Sequence, residues 1–92
     1  MAINSYCGHG KLVADPKYCD EKRSKIFNAL WIKRNYKNSE GTYDYDKIPF
    51  LVTGHTARYL FEFGRKNNEV YIKGRLTTET NGYYIAVEEL DL

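Results

Sequence analysis

The sequence has no apolar run approaching the ~20 residues that a membrane-spanning helix needs. Its first residues, MAINSYCGHGK, combine neither a basic start nor an apolar stretch, so we expect no secretion signal and no membrane partner. Strong net charge is also missing, because 14 basic and 12 acidic residues leave only +2. This balance excludes binding through a strongly basic tail but leaves room for a local basic groove. We expect a cytoplasmic protein.

Cysteine is scarce, and Cys7 and Cys19 are too few for a disulfide framework. Together with the only two histidines, His9 and His55, they could surround a zinc ion. However, a Cys-x-His pair followed by a lone cysteine and a distant histidine matches no standard ligand spacing. We therefore expect two free thiols, no metal and no cofactor.

Patterns that carry catalysis are missing as well. The sequence contains no glycine-rich loop of the phosphate-binding type and no serine in a nucleophile-elbow context. Its acidic residues form no recognisable acid–base pair. At 92 residues the chain is the size of one domain, 1–92, with no room for a catalytic cleft between two lobes. We do not expect an enzyme.

Aromatic residues are abundant instead, at 15% with nine tyrosines, and several lie in β-prone segments. Alternating patterns bounded by loops and turns predict five strands: Tyr6–Ala14, Ile26–Tyr36, Tyr45–Gly54, Glu69–Thr78 and Tyr83–Leu90. Asn81-Gly82 predicts a tight hairpin turn between the last two strands. The spacing of Ala57, Leu60 and Phe61 predicts a helix over Thr56–Phe63, ending at Gly64.

The order β-β-β-α-β-β predicts an all-β domain with one helix, a five-stranded OB-fold barrel with the helix between strands 3 and 4. The second strand can be oriented in two ways. If Asn28 faces outward, alternation places Phe27, Ala29 and Trp31 in the core, and Leu30 and Ile32 face outward. If a bulge shifts the register, Trp31 lies on the outer surface.

Four stretches resemble, in order along the chain, motifs of the bacterial and phage single-stranded DNA-binding proteins. They are GKLVADP at Gly10–Pro16, FNAL at Phe27–Leu30, IPFLVTGHTA at Ile48–Ala57 and VYIKGRL at Val70–Leu76. The resemblance implies an OB-fold that binds single-stranded DNA as a homodimer or homotetramer, in a bacterial cell or phage-infected host. Thr53 replaces an aromatic residue of the family, and the family's acidic tail is absent. We therefore expect a compact form.

Proteins that bind single strands combine cations that follow the phosphates with aromatic rings on which bases stack. Both kinds of residue are interleaved in the second and third predicted strands and in the loop between them, and further cations and a tyrosine lie elsewhere. The candidate DNA-binding residues are Trp31, Lys33, Arg34, Tyr36, Lys37, Tyr43, Tyr45, Lys47, Lys73, Arg75, Tyr84, Arg23 and Lys25.

We predict a sequence-nonspecific protein that coats single-stranded DNA in replication or recombination. The alternative is an OB-fold interaction module that binds a replication protein and scarcely touches DNA, which Thr53, the short last hairpin and the mild net charge favour.

The apolar residues expected on the surface predict that the chain forms a homo-oligomer. Outward Leu30, Ile32 and Leu51 would expose more apolar surface than a small monomer keeps in water, so we expect at least a homodimer, with a homotetramer second. The first strand, with Gly8 and Gly10, and the fourth strand through Tyr71 are the expected contacts.

Overall fold

The computed structural model describes residues 2–92. Its elements are β1 (Tyr6–Leu12), β2 (Lys25–Lys37), β3 (Tyr43–Thr53), α1 (Gly54–Phe63), β4 (Glu69–Glu79) and β5 (Gly82–Asp91). The strands close a barrel in the order β1-β2-β3-β5-β4, antiparallel except for a short parallel contact between β3 and β5. This is a five-stranded OB-fold, and the predicted fold class is confirmed. Within residues 2–92, no helix is long and apolar enough to cross a membrane.

The element bounds differ from the predicted ones by a few residues. β1 ends at Leu12 rather than Ala14, and β3 begins at Tyr43 rather than Tyr45. The helix begins at Gly54, whose φ of 61° lies in the left-handed region that glycine adopts at little cost. It ends where the Gly64 N–H donates a hydrogen bond to the Leu60 carbonyl.

The core fills the barrel interior with alternate residues of the strands, as their period-2 pattern requires. The helix adds Ala57 and Leu60 to the same cluster. The core consists of Leu12, Ile26, Leu30, Phe50, Val52, Ala57, Leu60, Val70, Ile72 and Ile85.

Asn28 settles the orientation of β2, because it faces inward between the fully buried Ile26 and Leu30. Its Nδ2 donates a hydrogen bond to the Ala14 carbonyl at 3.0 Å, and its Oδ1 accepts one from the Ala29 N–H at 2.8 Å. These bonds satisfy a polar side chain that would otherwise be costly to bury.

The core placement of two aromatic residues of β2 is therefore wrong. Phe27 and Trp31 face outward and are 53% and 39% exposed, whereas Ala29 is buried without joining the core cluster. No bulge is needed, because the β2–β3 register is continuous from Lys25 to Lys33.

The expected exposure of two aliphatic residues is also wrong. Leu30 is fully buried and Ile32 is partly buried against the core, because the even-numbered residues of β2 face inward. Leu51 does lie on the outer side, opposite Phe27, and is partly buried there. The predicted homodimer loses this support and stays a prediction.

Beyond Lys33, β2 and β3 continue as an exposed ribbon. Its register shifts between Lys33 and Lys37. The connecting turn is ordered by Asn38, whose Oδ1 accepts hydrogen bonds from the N–H groups of Glu40 and Thr42. These bonds join the two strands of the ribbon in a defined turn.

Candidate nucleic-acid interface

The outer surface of β2 and β3 carries aromatic and basic side chains in cross-strand pairs. Alternate residues of a strand share a face, so residues that pair with each other across the ladder project to the same side. Phe27 pairs with Leu51, Trp31 with Lys47, and Lys33 with Tyr45. We call this surface the β2–β3 face; it consists of Phe27, Trp31, Lys33, Tyr45, Lys47 and Leu51.

Trp31 is the centre of the β2–β3 face. The Lys47 Nζ lies 5.7 Å from the centre of its ring, a cation–π distance. On the other side, Lys11 of β1 is the Cα partner of Trp31. Lys11, Trp31 and Tyr45, with Asn67, line an open depression. The exposed indole thus lies between two cations carried by neighbouring strands.

The ribbon extends this alternation of rings and cations. The Lys33 Nζ lies 4.0 Å from the centre of the Tyr43 ring, and the Lys37 Nζ lies 6.0 Å from it. Tyr45 is 55% exposed, and Tyr36 is the most exposed tyrosine of the ribbon. The structure therefore brings Tyr36, Tyr43 and Tyr45 together with Lys33 and Lys37 on one ribbon.

Arg34 differs from these lysines because its charge is already paired. It donates to Asp46 at 2.8 Å through Nη2, and its Nη1 lies 4.0 Å from an Asp44 carboxylate oxygen. The hydrogen bond from Arg34 lowers the pKa of Asp46. In contrast, no lysine within residues 2–92 lies within 4 Å of a carboxylate oxygen. The charges of Lys33, Lys37 and Lys47 are therefore not neutralised by a neighbouring carboxylate and are available to a phosphate.

Phe27 is a candidate that the sequence reasoning missed. Its ring packs edge-on against Tyr84 of β5, with centroids 6.2 Å apart, and it lines an open depression with Lys47 and with Gly82 and Tyr83 of the β4–β5 hairpin. The apolar pair Ile26 and Leu30 favours an outward Phe27, but Phe27, Ala29 and Trp31 are equally apolar, so alternation alone did not identify it.

Thr53 leaves one position of the β2–β3 face without an aromatic side chain. It is exposed at the end of β3, opposite Lys25 of β2. Phe27 lies two residues along β2 from that pair, on the same side of the strand. A ring is therefore present next to the position, supplied by the neighbouring strand.

Arg23 and Lys25 lie where the loop after β1 enters β2, and both are exposed. Asp20 organises this turn, because its carboxylate accepts hydrogen bonds from the Ser24 hydroxyl, the Ser24 N–H and the Lys25 N–H. These bonds, the Ser24 hydroxyl first, lower the pKa of Asp20. Lys25 thereby continues the outward row of β2.

Lys73 and Arg75 lie away from this group. They are on β4, which borders β1 and β5 rather than β2 or β3. Lys73 is opposite Cys7 on one side and Glu89 on the other, and Arg75 is opposite Ala86. The structure does not bring them to the β2–β3 face.

No protein-family model matches this chain, and no curated protein matches it either. Solved structures do match. The small single-stranded DNA-binding protein from Streptomyces coelicolor superposes with a TM-score of 0.79 at 14% identity, covering 99% of this chain and 93% of its own. The chain shares its fold. The SSB domain of a protein from Synechococcus sp. gives a TM-score of 0.73 at 18% identity, covering 100% of this chain and 98% of its own.

The resemblance to single-stranded DNA-binding proteins is thus confirmed at the level of the OB-fold. In OB-folds, the face of strands 2 and 3 with its flanking loops is the surface that binds oligonucleotides and oligosaccharides. The β2–β3 face of this chain occupies that position. The candidate residues predicted from the sequence include Trp31, Lys33, Tyr45 and Lys47 of this face, but not Phe27, nor Lys11 beside it.

Proposed function

We propose that this chain is a sequence-nonspecific single-stranded DNA-binding protein that coats exposed strands during replication or recombination, in a bacterial cytoplasm or a phage-infected host. The observation that carries the proposal is the exposed Trp31 ring between Lys11 and Lys47. Stacking of a base on such a ring contributes roughly 1–3 kcal/mol and tolerates any base, while the lysines neutralise phosphates.

The chemistry of the β2–β3 face favours single strands over duplex. Its rings offer flat apolar surfaces, which only an unpaired and unstacked base can occupy. Trp31 and Phe27 are four residues apart on the same side of β2, about 13 Å along the strand. A single strand that follows β2 therefore meets separate platforms in succession. The cross-strand pairs present rings, lysines and aliphatic groups rather than the paired amides that read base edges.

The sole tryptophan of the chain makes the proposal directly testable. A base stacked on Trp31 should quench its fluorescence. We expect quenching with oligo(dT) at low salt, weaker quenching with a duplex of equal length, and affinity that falls as salt rises because phosphate contacts release counterions. Absence of binding to a long oligo(dT) at low salt, by quenching and by anisotropy of labelled DNA, refutes the proposal.

A second candidate function is that of an interaction module for a replication protein. It is favoured by the exposed aromatic residues of α1, where Tyr59 and Phe63 have ring centroids 5.6 Å apart and Phe63 is 64% exposed. Exposed apolar clusters of this kind are typical of protein contacts. A folded protein that leaves oligo(dT) unbound would support this candidate over the first.

We also propose that the chain assembles at least into a homodimer, with a homotetramer second. β1 pairs with β4 along Tyr6–Lys11 but with β2 only through Lys11 and Leu12. Within the described residues, the edge of Tyr6–Gly10 that faces β2 therefore has no partner strand. An open strand edge is a template for pairing with another chain. A second copy of β1 is the partner that symmetry offers.

A further inference from the structure

A depression lies on the β2–β3 face between two of its exposed rings. The outward row of β2 runs Phe27, Ala29, Trp31, so a single methyl group lies between two large aromatic side chains. Ala29 is on the outward side of the strand, yet it is only 6% exposed, whereas Phe27 and Trp31 are 53% and 39% exposed. The neighbouring side chains therefore rise above Ala29, which forms the floor of a concavity.

The rest of this depression is contributed by β3, by the residue after β1 and by the β4–β5 hairpin. Pro49 of β3 is the Cα partner of Ala29. Val13 is held against β2 because its N–H donates a hydrogen bond to the Ala29 carbonyl at 3.0 Å. Tyr83 borders the depression from the hairpin. We call this depression the Ala29 slot; its lining includes Val13, Phe27, Ala29, Lys47, Pro49 and Tyr83.

The interval between the two rings has room for a nucleotide above the slot. Ala29 is two residues from Phe27 and two residues from Trp31, about 7 Å along the strand in each direction. A stacked strand rises only ~3.4 Å per nucleotide. A single strand that bridges the two rings, about 13 Å apart, therefore carries at least one further nucleotide between them. Its base meets the slot rather than a third ring.

The lining of the slot suits a base of any identity. Pro49 and Tyr83 offer flat apolar surfaces of the kind that contact the face of a base. Asn28 also borders the slot, but its amide is held inward by hydrogen bonds to the Ala14 carbonyl and the Ala29 N–H. It is therefore not presented as the bidentate amide that would read a base edge.

Lys47 supplies the charge that a nucleotide in the slot requires. It lines the slot, and its Nζ lies 5.7 Å from the centre of the Trp31 ring. Within residues 2–92 no carboxylate oxygen lies within 4 Å of this Nζ, and no acidic residue lines the slot. One ammonium group is thus placed to neutralise a phosphate between a base on Trp31 and a base in the slot.

The slot lies apart from the surface that the proposed homodimer uses. Neither Tyr6–Gly10 nor Tyr71 is part of its lining. Val13 follows the other end of β1, beyond Leu12. Pairing of two copies through the edge of Tyr6–Gly10 therefore does not use the residues of the slot.

We propose that the Ala29 slot holds one base of the bound strand, inserted between a base stacked on Phe27 and a base stacked on Trp31. The small side chain of Ala29 makes the site, because any larger residue would fill its floor. The inference rests on the proposed function, since it assigns the course of the strand across the β2–β3 face.

The first test fills the slot. Ala29→Val adds two methyl groups to the floor and keeps a residue that favours strands. Ala14→Val adds the same bulk at an exposed position outside the slot and is the matched control. The ligand is the shortest oligo(dT) that quenches Trp31 fully in the parent, with anisotropy as a second readout. Ala29→Val should bind about 5- to 150-fold more weakly, the factor that loss of one base contact gives, and Ala14→Val should bind normally.

The second test removes single bases from the DNA. In a set of these oligomers, each with one abasic residue, the abasic residue that falls at the slot should weaken binding of the parent but not of Ala29→Val, which has already lost that contact. Abasic residues that fall at Phe27 or Trp31 should weaken both proteins. Tyr83→Thr removes one side of the slot and should weaken binding of the intact oligomer, whereas Tyr83→Phe should not.

The outcomes separate the two proposals. Equal affinity of the parent, Ala29→Val and Tyr83→Thr overturns the slot while leaving DNA binding by the β2–β3 face intact. Abasic losses that are the same for the parent and Ala29→Val at every position also overturn it. If circular dichroism shows that Ala29→Val does not fold, normal binding by Tyr83→Thr overturns the slot by itself.

Two further results have distinct meanings. No quenching of the parent by any oligomer refutes the proposed function instead. If light scattering without DNA shows that folded Ala29→Val forms a smaller particle than the parent, the slot is a contact between copies, and its assignment to a base is overturned.

Discussion

The Lys47 Nζ lies 5.7 Å from the centre of the Trp31 ring, across the β2–β3 ladder from which both side chains project. This relationship couples the two requirements of single-strand binding at one point. Under the proposed function, a base stacked on the indole has the Lys47 cation beside it for its phosphate, so stacking and charge neutralisation occur together. The two contributions respond differently to salt, which allows them to be measured separately.

Loss of a stacking ring should weaken binding without changing its salt dependence. Tyr45→Ala and Tyr36→Ala should each reduce affinity for oligo(dT) by about 1–3 kcal/mol, because stacking releases no counterions. Tyr45→Phe retains the ring and is the matched control. Anisotropy titrations over a salt series measure both quantities. A salt slope lowered by Tyr45→Ala would show that this residue acts through phosphate rather than through a base.

Loss of a lysine should change the salt dependence. Lys47→Gln should reduce the slope of log K against log salt by about 0.7, the value for one phosphate contact on a single strand. Arg34→Gln should reduce it less, because Asp46 and Asp44 already compensate the guanidinium. The same titrations compare the two variants. An equal or larger change for Arg34→Gln would mean that DNA displaces the carboxylates.

Asn28 should contribute to stability rather than to binding. Asn28→Ala removes the donor to the Ala14 carbonyl and the acceptor of the Ala29 N–H, so we expect the free energy of unfolding to fall by about 1–3 kcal/mol. Chemical denaturation measures the loss, and Asn35→Ala on the exposed part of β2 is the control. Unchanged stability would contradict the role assigned to the buried amide.

The turn at Asp20 should make folding sensitive to acid. Its hydrogen bonds, the one from the Ser24 hydroxyl first, lower the pKa of Asp20 in the folded chain, so the carboxylate stabilises the fold above its ordinary unfolded-state pKa. This contribution is lost as pH falls through the lower folded pKa. Thermal unfolding from pH 6 to pH 2 should therefore show a smaller acid-induced loss for Asp20→Asn than for the parent. Glu21→Gln, at the next residue, is the control, and identical pH profiles for parent and Asp20→Asn would contradict the prediction.

The homo-oligomer should be detectable in the absence of DNA. Light scattering after size exclusion should give at least the mass of two chains, because the edge of Tyr6–Gly10 toward β2 is open. Gly8→Pro removes a backbone N–H and should disrupt pairing at this edge or weaken β1 itself, so its circular dichroism must be checked. A particle of single-chain mass at micromolar concentration would contradict assembly.

The element order was predictable because its causes are local. Alternation in β4 placed Val70 and Ile72 inside, and helical spacing placed Ala57 and Leu60 on one side of α1. The predicted turn at Asn81-Gly82 was wrong by one residue, because Gly82 already pairs with Glu79 and the loop is Thr80-Asn81. Each of these patterns depends on residues a few positions apart. The sequence by itself therefore determined the fold class and the strands that carry the candidate site.

The facing of β2 was decided only by the tertiary structure. Asn28 is as compatible with an outward as with an inward position until the Ala14 carbonyl, 14 residues away, is present to accept its hydrogen bond. The pairing of Arg34 with Asp46 across the ribbon was likewise decided by the tertiary structure. So was the position of Lys73, because closure of the barrel places β4 between β1 and β5, away from the β2–β3 face. These three features depend on which residues of different strands come into contact when the barrel closes. The periodicity of one strand contains no information about the residues of its neighbouring strands.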